Sequence, residues 1–273
     1  MNYWNPEGAV AVVTGASTGI GCCLTHRLAE RGATVLAVAR RQELLTKNFP
    51  ASAVASKTQG RIITLPGDIT LPEVRESIYQ QISQLGRNQL DLLVNNAGVG
   101  AIGPFASASP DRLRRLMEVN FFAPVELTRT LLPLLRTGRL PVICNISSVL
   151  GHCAVPEKSE YCASKFALHG WSDSVRAELA AEGIQVTLVS PSTTRSDFFQ
   201  SLIDTDTDQQ SKSFGSWSAE KVADHALAAI ESRRREVVLS MGGKALVYAD
   251  RLLPGLIAKI LKRPRYAERA NVN

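Results

Sequence analysis

The sequence predicts an α/β protein with a doubly wound parallel sheet of about seven strands and helices on both faces. Short apolar segments alternate with longer segments of helical periodicity, as in successive strand–helix–strand units. The first strands are apolar at consecutive positions, as in 9–13 and 34–39, which is typical of strands buried on both faces. Gly15, Gly19 and Gly21 follow the first strand directly and open a helical segment. Together these observations favour parallel strands connected by crossover helices.

Each strand and helix can be placed from its apolar pattern and its boundary residues. The strands are expected at 9–13, 34–39, 61–65, 90–94, 141–146, 184–189 and 236–239. The helices are expected at 20–31, 42–58, 72–85, 111–135, 160–181 and 219–232, followed by an amphipathic tail at 244–262. Pro50 breaks the second helix and Pro254 breaks the tail. Pro124 lacks an N–H group, so we expect the long helix to kink at Asn120 and free its carbonyl.

No linker or internal repeat divides the chain, so a single domain is expected over 1–273. Its sheet core should span 8–240. Residues 192–216 are polar and irregular, and a loop of this length in a compact domain is typical of a lid or of a disordered segment; a substrate lid is expected here. Residues 241–273 then form an amphipathic C-terminal extension.

Composition narrows the class of protein. The 273 residues carry a net charge of +6, which a solvated face and a phosphate-bearing cofactor explain as well as nucleic acid does. Nucleic acid is therefore not expected as a partner. Five cysteines without a Cys-x-x-Cys pair, and four histidines without ligand spacing, predict reduced thiols and no metal site. The first residues lack signal-peptide features and no run of eighteen apolar residues occurs, so a cytoplasmic location is expected.

The glycine-rich segment has the context of a phosphate-binding loop. A strand, a glycine turn and a helix succeed one another, and a helix N-terminus presents N–H groups and a positive dipole to an anion. The candidate cofactor-binding residues here are Gly15, Ser17, Thr18, Gly19, Ile20 and Gly21.

Tyr161 and Lys165 are candidates for proton transfer, because residues four apart share one face of a helix. An ammonium beside a phenol favours the phenolate, so we expect the Tyr161 pKa to fall below its usual ~10. The spacing alone fits a buried tyrosine and a solvated lysine equally well. Ser148 stands thirteen residues before Tyr161, at the end of a predicted strand.

Five elements in this order resemble the short-chain dehydrogenase/reductase family, over roughly residues 8–240. The elements are Thr14–Gly21, Asp68, Asn95-Asn96-Ala97-Gly98, Asn120, and Ser148 with Tyr161 and Lys165. The resemblance implies a Rossmann-type oxidoreductase that transfers a hydride between a nicotinamide cofactor and a carbonyl or secondary alcohol. The alternative is a cofactor-binding sensor or structural protein without turnover.

The resemblance also implies the role of each site residue. Tyr161 would be the acid or base, Lys165 would hold the nicotinamide ribose, and Ser148 would donate to the substrate oxygen. Asn120 would fix a water that links Lys165 to solvent. Further cofactor contacts are implied at Asp68, Ile69, Asn95, Ala97, Gly98, Pro191, Thr194 and Ser196. Two departures from the family pattern are Thr18, where many phosphate-form enzymes carry a basic residue, and Ser192, where the family has glycine.

The end of the second strand predicts the form of the cofactor. NAD-binding enzymes place an acid there, whereas this chain has Ala39 followed by Arg40. A guanidinium can pair with a 2′-phosphate, so we expect NADP(H) in preference to NAD(H). In the alternative, Arg40 and Arg41 are surface charges at a helix start.

The substrate side is less defined. Five apolar residues of the lid region favour a hydrophobic substrate, or they anchor the lid to the body: Phe198, Phe199, Leu202, Phe214 and Trp217. Residues 99–105, His152 and Cys153 are expected to line the pocket. We expect His152 to be a surface loop residue rather than a second proton donor.

Two further regions are candidate contact surfaces. The helices at 111–136 and 160–182 resemble those through which family members form homodimers or homotetramers, so an oligomer is expected. The basic amphipathic stretch Ala245–Leu261 could lie on a membrane surface. Packing near the substrate mouth or on another subunit is preferred to that peripheral membrane contact.

Overall fold

A computed structural model describes residues 3–50, 60–195, 202–205 and 216–262. Its centre is a sheet of seven strands: β1 (Val10–Thr14), β2 (Thr34–Ala39), β3 (Arg61–Pro66), β4 (Leu92–Asn95), β5 (Val142–Ile146), β6 (Gln185–Ser190) and β9 (Glu236–Val238). Their order in the sheet is β3-β2-β1-β4-β5-β6-β9, and every neighbouring pair is parallel. A separate pair consists of β7 (Thr194–Arg195) and β8 (Trp217–Ser218).

Helices connect the strands and cover the sheet on both faces. They are α1 (Gly19–Glu30), α2 (Gln42–Asn48), α3 (Pro72–Ile82), α4 (Pro110–Met117), α5 (Ala123–Arg136), α6 (Ser159–Leu179), α7 (Ala219–Glu231), α8 (Met241–Leu252) and α9 (Pro254–Leu261). Shorter turns lie at Ser83–Arg87, Phe105–Ser107, Glu118–Phe122, Val149–Gly151 and Ala180–Glu182. Within the described ranges no helix is both long enough and apolar enough to cross a bilayer.

Alternate strand residues supply two apolar cores, one on each face of the sheet. Val13 of β1 packs with α1 and α7, whereas its neighbour Val12 packs with α3 and α5. Both valines are fully buried, which explains why the strand is apolar at every position rather than at alternate ones. The doubly wound sheet predicted from the sequence is therefore confirmed.

The long helix predicted at 111–135 is three segments. A π-helical turn, Glu118–Phe122, separates α4 from α5 and contains Asn120, where the kink was expected. Pro124 lies in the first turn of α5, where its missing N–H group costs least. The second helix ends at Asn48, short of the predicted boundary, and residues 51–59 fall outside the described ranges.

Two helix-boundary residues have the local geometry usual for their residue type, and a third differs. Gly183 is left-handed (φ 73°) after α6, and the Ser218 hydroxyl accepts a hydrogen bond from the Lys221 N–H at the start of α7. Ser109 stands at the N-cap of α4, but its side chain makes no capping bond. Instead its N–H donates to the Asp204 carboxylate at 2.9 Å.

The strand order reverses direction between β1 and β4, and this fixes where a ligand can bind. The chain builds outward from β1 through β2 and β3, then returns to pair β4 with the other side of β1. The loops after β1 and β4 consequently diverge and leave a crevice at the carboxyl ends of these strands. The residues that follow Thr14 and Asn95 therefore border the candidate site.

Candidate active site

The glycine loop after β1 is tied to the loop after β4. The Thr14 hydroxyl donates to the Val94 carbonyl at 3.2 Å and accepts from the N–H groups of Asn96 and Ala97. The Asn96 amide donates back to the Thr14 carbonyl at 2.9 Å. These bonds hold together the two loops that border the crevice.

Gly15 and Gly21 are required by this close approach. Gly15 has φ +65°, and a Cβ atom there would lie 2.8 Å from the Ala97 Cα. A Cβ atom on Gly21 would lie 2.4 Å from the Asn96 amide nitrogen and 2.5 Å from the Gly15 carbonyl. Asn96 was not among the predicted site residues, although its place between Asn95 and Ala97 in the motif could have indicated it.

The start of α1 fits a phosphate group. Thr18 is the N-cap residue, but its side chain makes no capping hydrogen bond, so no side-chain cap occupies the first N–H groups of the helix. Its hydroxyl instead accepts from the Arg41 guanidinium at 2.8 Å, and Ser17 accepts from the same nitrogen at 3.3 Å. Arg41 therefore stands over the glycine loop.

The two arginines after β2 differ in position. Arg40 is the sequence candidate for the 2′-phosphate, yet its side chain is exposed and lies 3.8 Å from the Asp68 carboxylate. Asp68 is also held by Thr70, and Ile69 beside it is buried. From the sequence Arg41 was considered only as a surface charge, whereas its hydrogen bonds identify it as the arginine next to the loop.

Asn95 points into the protein. Its amide donates to Asn145 at 2.9 Å and to Thr128 at 3.2 Å, and Asn145 donates in turn to Ser172. All four residues are buried. The side chain thus ties β4 to β5 and α5, whereas Ala97 and Gly98 continue along the crevice; a direct cofactor contact by Asn95 stays a prediction.

Ser148, Tyr161 and Lys165 come together at the end of β5. Ser148 and Tyr161 share a side-chain hydrogen bond. Lys165 lies one helical turn from Tyr161, with its Nζ 5.9 Å from the phenol ring centroid. Ser147 is directed elsewhere, because its Oγ lies within 2.9 Å of where a Cβ of Gly151 would stand. The choice of Ser148 over Ser147 agrees with this geometry.

Burial controls the ionisation of the two central groups. It raises the pKa of Tyr161 to about 12, and the hydrogen bond with Ser148 lowers that value only in part. Burial also lowers the pKa of Lys165 to about 8. The expected lowering of the Tyr161 pKa is wrong, because desolvation dominates. The Lys165 ammonium donates to the Ile146 carbonyl at 3.1 Å.

Asn120 holds Val99 and Ser164 in place beside Tyr161 and Lys165. Its side-chain oxygen accepts from the Val99 N–H at 2.9 Å, and its amide donates to the Val99 carbonyl and to the Ser164 hydroxyl. A Cβ atom on Gly98 would lie 3.1 Å from the Asn120 oxygen and 3.7 Å from the Lys165 nitrogen. Asn120 therefore lies close to Lys165, and the water expected on its carbonyl stays a prediction.

A buried ion pair supports the substrate side. Arg112 of α4 and Glu160 of α6 meet at 2.8 Å, with side chains only 3% and 6% exposed. Arg112 also donates to the carbonyls of Gly103, Pro104 and Asp204 at 3.4–3.5 Å. Burial raises the pKa of Glu160, but hydrogen bonds from Ser159 and Arg112 outweigh this and hold it below its usual value.

Residues 202–205, which are described and belong to the predicted lid, dock beside this ion pair. The N–H of Ile203 donates to the Gly100 carbonyl at 2.9 Å, and the N–H of Ile102 donates to the Thr205 hydroxyl at 2.9 Å. Ile203, Val119 and Tyr161 each pack against a buried cluster of Val99, Ala101 and Leu116. This small cluster gives the crevice an apolar wall next to the phenol.

Trp217, the lid aromatic that the structure describes, does not join this wall. Trp217 packs against the core on the α1 and α7 face and stacks with His225 and Lys221. It also pairs with Thr194 in the short second sheet, in the region expected to be irregular. Trp217 therefore anchors the lid to the body, and Phe198, Phe199 and Phe214 lie outside the described residues.

His152 is not a surface residue, contrary to expectation. Its side chain is buried, and its Nε2 lies 3.0 Å from both Ser190 and Glu236. The Arg251 guanidinium lies 3.2 Å from its Nδ1, and because arginine can only donate, Nδ1 accepts and the proton sits on Nε2. The hydrogen bond from His152 lowers the pKa of Glu236 despite its burial.

Two residues of this network, His152 and Glu236, also belong to the one cluster of potential metal ligands among the described residues. His152, His169 and Glu236 place candidate ligand atoms within 4.8 Å of one another. A metal on His152 Nε2 would move the proton to Nδ1, where it would face the donating Arg251. The arrangement therefore favours a hydrogen-bonded chain over a metal site.

The loop after β6 completes the site. The Pro191 carbonyl accepts from the Val149 N–H at 2.9 Å, which joins this loop to the turn after Ser148. The Ser192 hydroxyl accepts from Ser240 at 2.9 Å, so the serine that replaces the family glycine contacts the start of α8. Thr194 is half-buried in β7 and donates to the Ser192 carbonyl, whereas Ser196 lies outside the described residues.

Comparison with known proteins agrees with this architecture. A model of the short chain dehydrogenase family matches residues 9–207. Dehydrogenase/reductase SDR family member 7B of Bos taurus is 30% identical over 271 residues, 96% of this chain and 83% of the relative. Ketoacyl reductase HetN of Nostoc sp. strain PCC 7120 is 32% identical over 234 residues, 85% of this chain and 79% of the relative.

Solved structures give the same result. A short chain dehydrogenase from Burkholderia cenocepacia J2315 in complex with NADP is similar at a TM-score of 0.80 and 27% identity, covering 96% of this chain and all of that one. A Burkholderia phymatum short chain dehydrogenase/reductase in complex with NAD has a TM-score of 0.80 at 20% identity, over 93% and 96% of the chains, and shows the fold alone. This chain belongs to the short-chain dehydrogenase/reductase family and is an NAD(P)-dependent oxidoreductase acting on CH–OH or C=O groups.

Proposed function

We propose that the protein reduces the carbonyl group of an apolar small molecule with NADPH, and that Tyr161 donates the proton. The Ser148–Tyr161–Lys165 group carries this proposal, because it joins a hydroxyl donor, a neutral phenol and an ammonium in one crevice. The reduced nicotinamide supplies a hydride to the carbonyl carbon when it is bound.

The chain's own residues handle the oxygen and the proton. Ser148 donates to the substrate oxygen and stabilises the negative charge that develops there. Tyr161 then transfers its hydroxyl proton to that oxygen, which completes the alcohol and leaves a phenolate. Lys165, one helical turn away, holds the nicotinamide ribose and offsets the phenolate charge. Asn120 keeps Val99 and Ser164 in place beside this pair.

The ionisation of Tyr161 supports reduction as the favoured direction. A phenol with a pKa of about 12 is protonated at neutral pH and can donate. Oxidation of an alcohol requires the phenolate as a base, which is scarce at neutral pH at this pKa.

A preference for NADP(H) over NAD(H) is supported by charge at the end of β2. Ala39 replaces the acid that NAD-binding enzymes use, and two guanidiniums follow it. Arg41 already contacts Ser17 and Thr18 of the glycine loop, and Arg40 lies across from Asp68. Arg41 is thus the better placed of the two to meet a 2′-phosphate.

An apolar substrate is supported by the wall of the crevice. Tyr161 and Ile203 both pack against the cluster that contains Val99 and Ala101. Hydrogen bonds of Ile203 and Thr205 to the segment 100–102 hold the described lid residues beside this cluster. A polyhydroxylated substrate would leave its hydroxyl groups unpaired against this wall. One relative is named as a ketoacyl reductase, in line with this class.

Substitution of Tyr161 by Phe separates an enzyme from a cofactor-binding sensor. We expect turnover of a panel of aliphatic and aromatic ketones, followed by NADPH absorbance, to fall by roughly 10²–10⁴-fold. NADPH binding, measured by fluorescence, should stay within about twofold because the phenol hydroxyl makes few of the cofactor contacts. Tyr79→Phe, on α3, is the matched control. A wild-type protein that binds NADPH but turns over none of the panel would support the sensor.

A further inference from the structure

The two C-terminal helices expose apolar faces. In α8 the buried positions are Gly243 and Val247, which place the helix against Val149 of the turn after Ser148. Its other side presents Met241, Tyr248 and Leu252, each more than half exposed. One side of α8 therefore packs against the protein, as expected near the substrate mouth, and the other side stays exposed.

The helix α9 is more exposed still, because none of its residues is buried. Leu253, Leu256, Ile257 and Ile260 recur at the spacing of one helical face. Leu253, Leu256 and Ile260 are 55%, 51% and 48% exposed. Isolated exposed leucines are common on protein surfaces, but a row at helical spacing is typical of an interaction face.

Charge indicates what covers this face. Residues 241–273 contain seven lysines and arginines against Asp250 and Glu268, so they carry five of the six net positive charges of the chain. Lys259 and Lys262 lie on the polar side of α9, and both are exposed. In a twofold interface between copies the same patch meets itself, so these cations would face one another at an energetic cost. An anionic surface instead complements them.

We propose that α8 and α9 form a docking surface for a bilayer that contains anionic lipids. The apolar rows would enter the boundary between headgroups and acyl chains, with the lysines at the level of the phosphates. Because α8 rests on the turn that carries Ser148, the bilayer would lie on the substrate side of the crevice. This last placement rests on the proposed reductase function and would give lipophilic ketones a route from the membrane.

Co-sedimentation of the full chain with vesicles tests the docking surface. We expect binding to phosphatidylcholine vesicles that contain phosphatidylserine, and several-fold weaker binding to pure phosphatidylcholine or in high salt. The triple change Leu253→Ser, Leu256→Ser and Ile260→Ser should abolish sedimentation, whereas Leu113→Ser, 44% exposed on α4, should not. The charge reversals Lys259→Glu and Lys262→Glu should weaken binding about tenfold or more. Reversal of the exposed Lys47 and Arg61 is the matched control.

Two results would overturn the proposal. One is a wild-type protein that does not sediment with anionic vesicles. The other is a concentration-dependent dimer, seen by analytical ultracentrifugation without lipid, that the triple change dissociates while vesicle binding is absent or unaffected; the face would then be a subunit interface. Neither readout depends on turnover, so a failed reductase assay leaves this test intact.

Discussion

The cofactor side and the substrate side of the crevice are held together in different ways. On the cofactor side, Thr14 and Asn96 exchange hydrogen bonds with backbone groups of two adjacent strand ends. On the substrate side, the charged side chain of Arg112 pairs with Glu160 and donates hydrogen bonds to three backbone carbonyls. The cofactor side depends on close backbone contact, and the substrate side depends on one desolvated charge, that of Arg112. Different substitutions should therefore destabilise the two sides.

Arg112→Met should have the largest effect on stability. It leaves the Glu160 carboxylate buried without its partner, which costs about 3–5 kcal/mol in the free energy of unfolding. The double change Arg112→Met and Glu160→Met removes both charges and should recover most of that loss. Urea denaturation of the three proteins measures the coupling. If the single change costs less than 1 kcal/mol, the substrate side does not depend on this ion pair.

The double variant also separates fold from function. If it is stable, the lid segment has still lost the Arg112 bond to the Asp204 carbonyl. We expect KM for an apolar ketone to rise several-fold, with kcat and NADPH affinity little changed, because only the substrate wall is loosened. An equal loss in NADPH affinity would show that the two sides are not separable.

Gly21→Ala tests the cofactor side in the same way. The added Cβ atom would overlap the Asn96 amide and the Gly15 carbonyl, so we expect a loss of about 3 kcal/mol and much weaker NADPH binding. Gly170→Ala is the control, since a Cβ atom there meets nothing within 4 Å and alanine favours a helix interior. Equal thermal stability of the two variants would contradict the close contact between the loops.

Arg41→Asp should have a smaller effect, confined to the cofactor. We expect the KM for NADPH to rise about 10–100-fold while that for NADH changes little, because a carboxylate would repel the 2′-phosphate. Arg40→Asp should act in the same direction but more weakly, since Arg40 is exposed and lies across from Asp68. The proposed preference for NADP(H) is wrong if neither change alters the NADPH-to-NADH ratio.

The pH profile should show the smallest effect. Lys165, with a pKa of about 8, loses its charge as pH rises through that value, whereas Tyr161 stays protonated up to about 12. Reductive kcat/KM should therefore be flat between pH 6 and 7 and decline above about 8. Far-ultraviolet circular dichroism across the same range controls for unfolding. A rate that rises above pH 8 would indicate that the phenolate form is the active one.

The same contrast explains what could be predicted from the sequence. Ser148 and Tyr161 were singled out by the family resemblance, and their catalytic roles stay predictions. Gly15 and Gly21 follow a strand at fixed spacings, so local pattern was enough to predict the turn that they form. The strand positions followed from apolar runs for the same reason. The position of Pro124 also predicted the break in the long helix at Asn120 correctly, because a proline removes a hydrogen bond to the residue one turn earlier.

The residues that were missed act over long sequence separations. Arg112 meets Glu160 and Asp204, and His152 meets Arg251, contacts that no local pattern encodes. His152 follows a loop signal and was expected at the surface for that reason. The Tyr161 pKa was predicted in the wrong direction because spacing reports the neighbouring ammonium but not the desolvation of both groups.

The order of strands in the sheet has a consequence for how the protein folds. Within the described seven-stranded sheet, every pair except β1–β4 joins strands that succeed one another in its chain order. Pairing of β1 with β4 closes a loop of roughly 80 residues, which costs conformational entropy. Contacts between a strand and the helix that follows it close much shorter loops and cost less. This seam forms the floor of the crevice between Thr14 and Asn96. We therefore expect the nucleotide site to appear only when the slowest pairing is complete, so that bound cofactor draws the folding equilibrium toward the finished sheet.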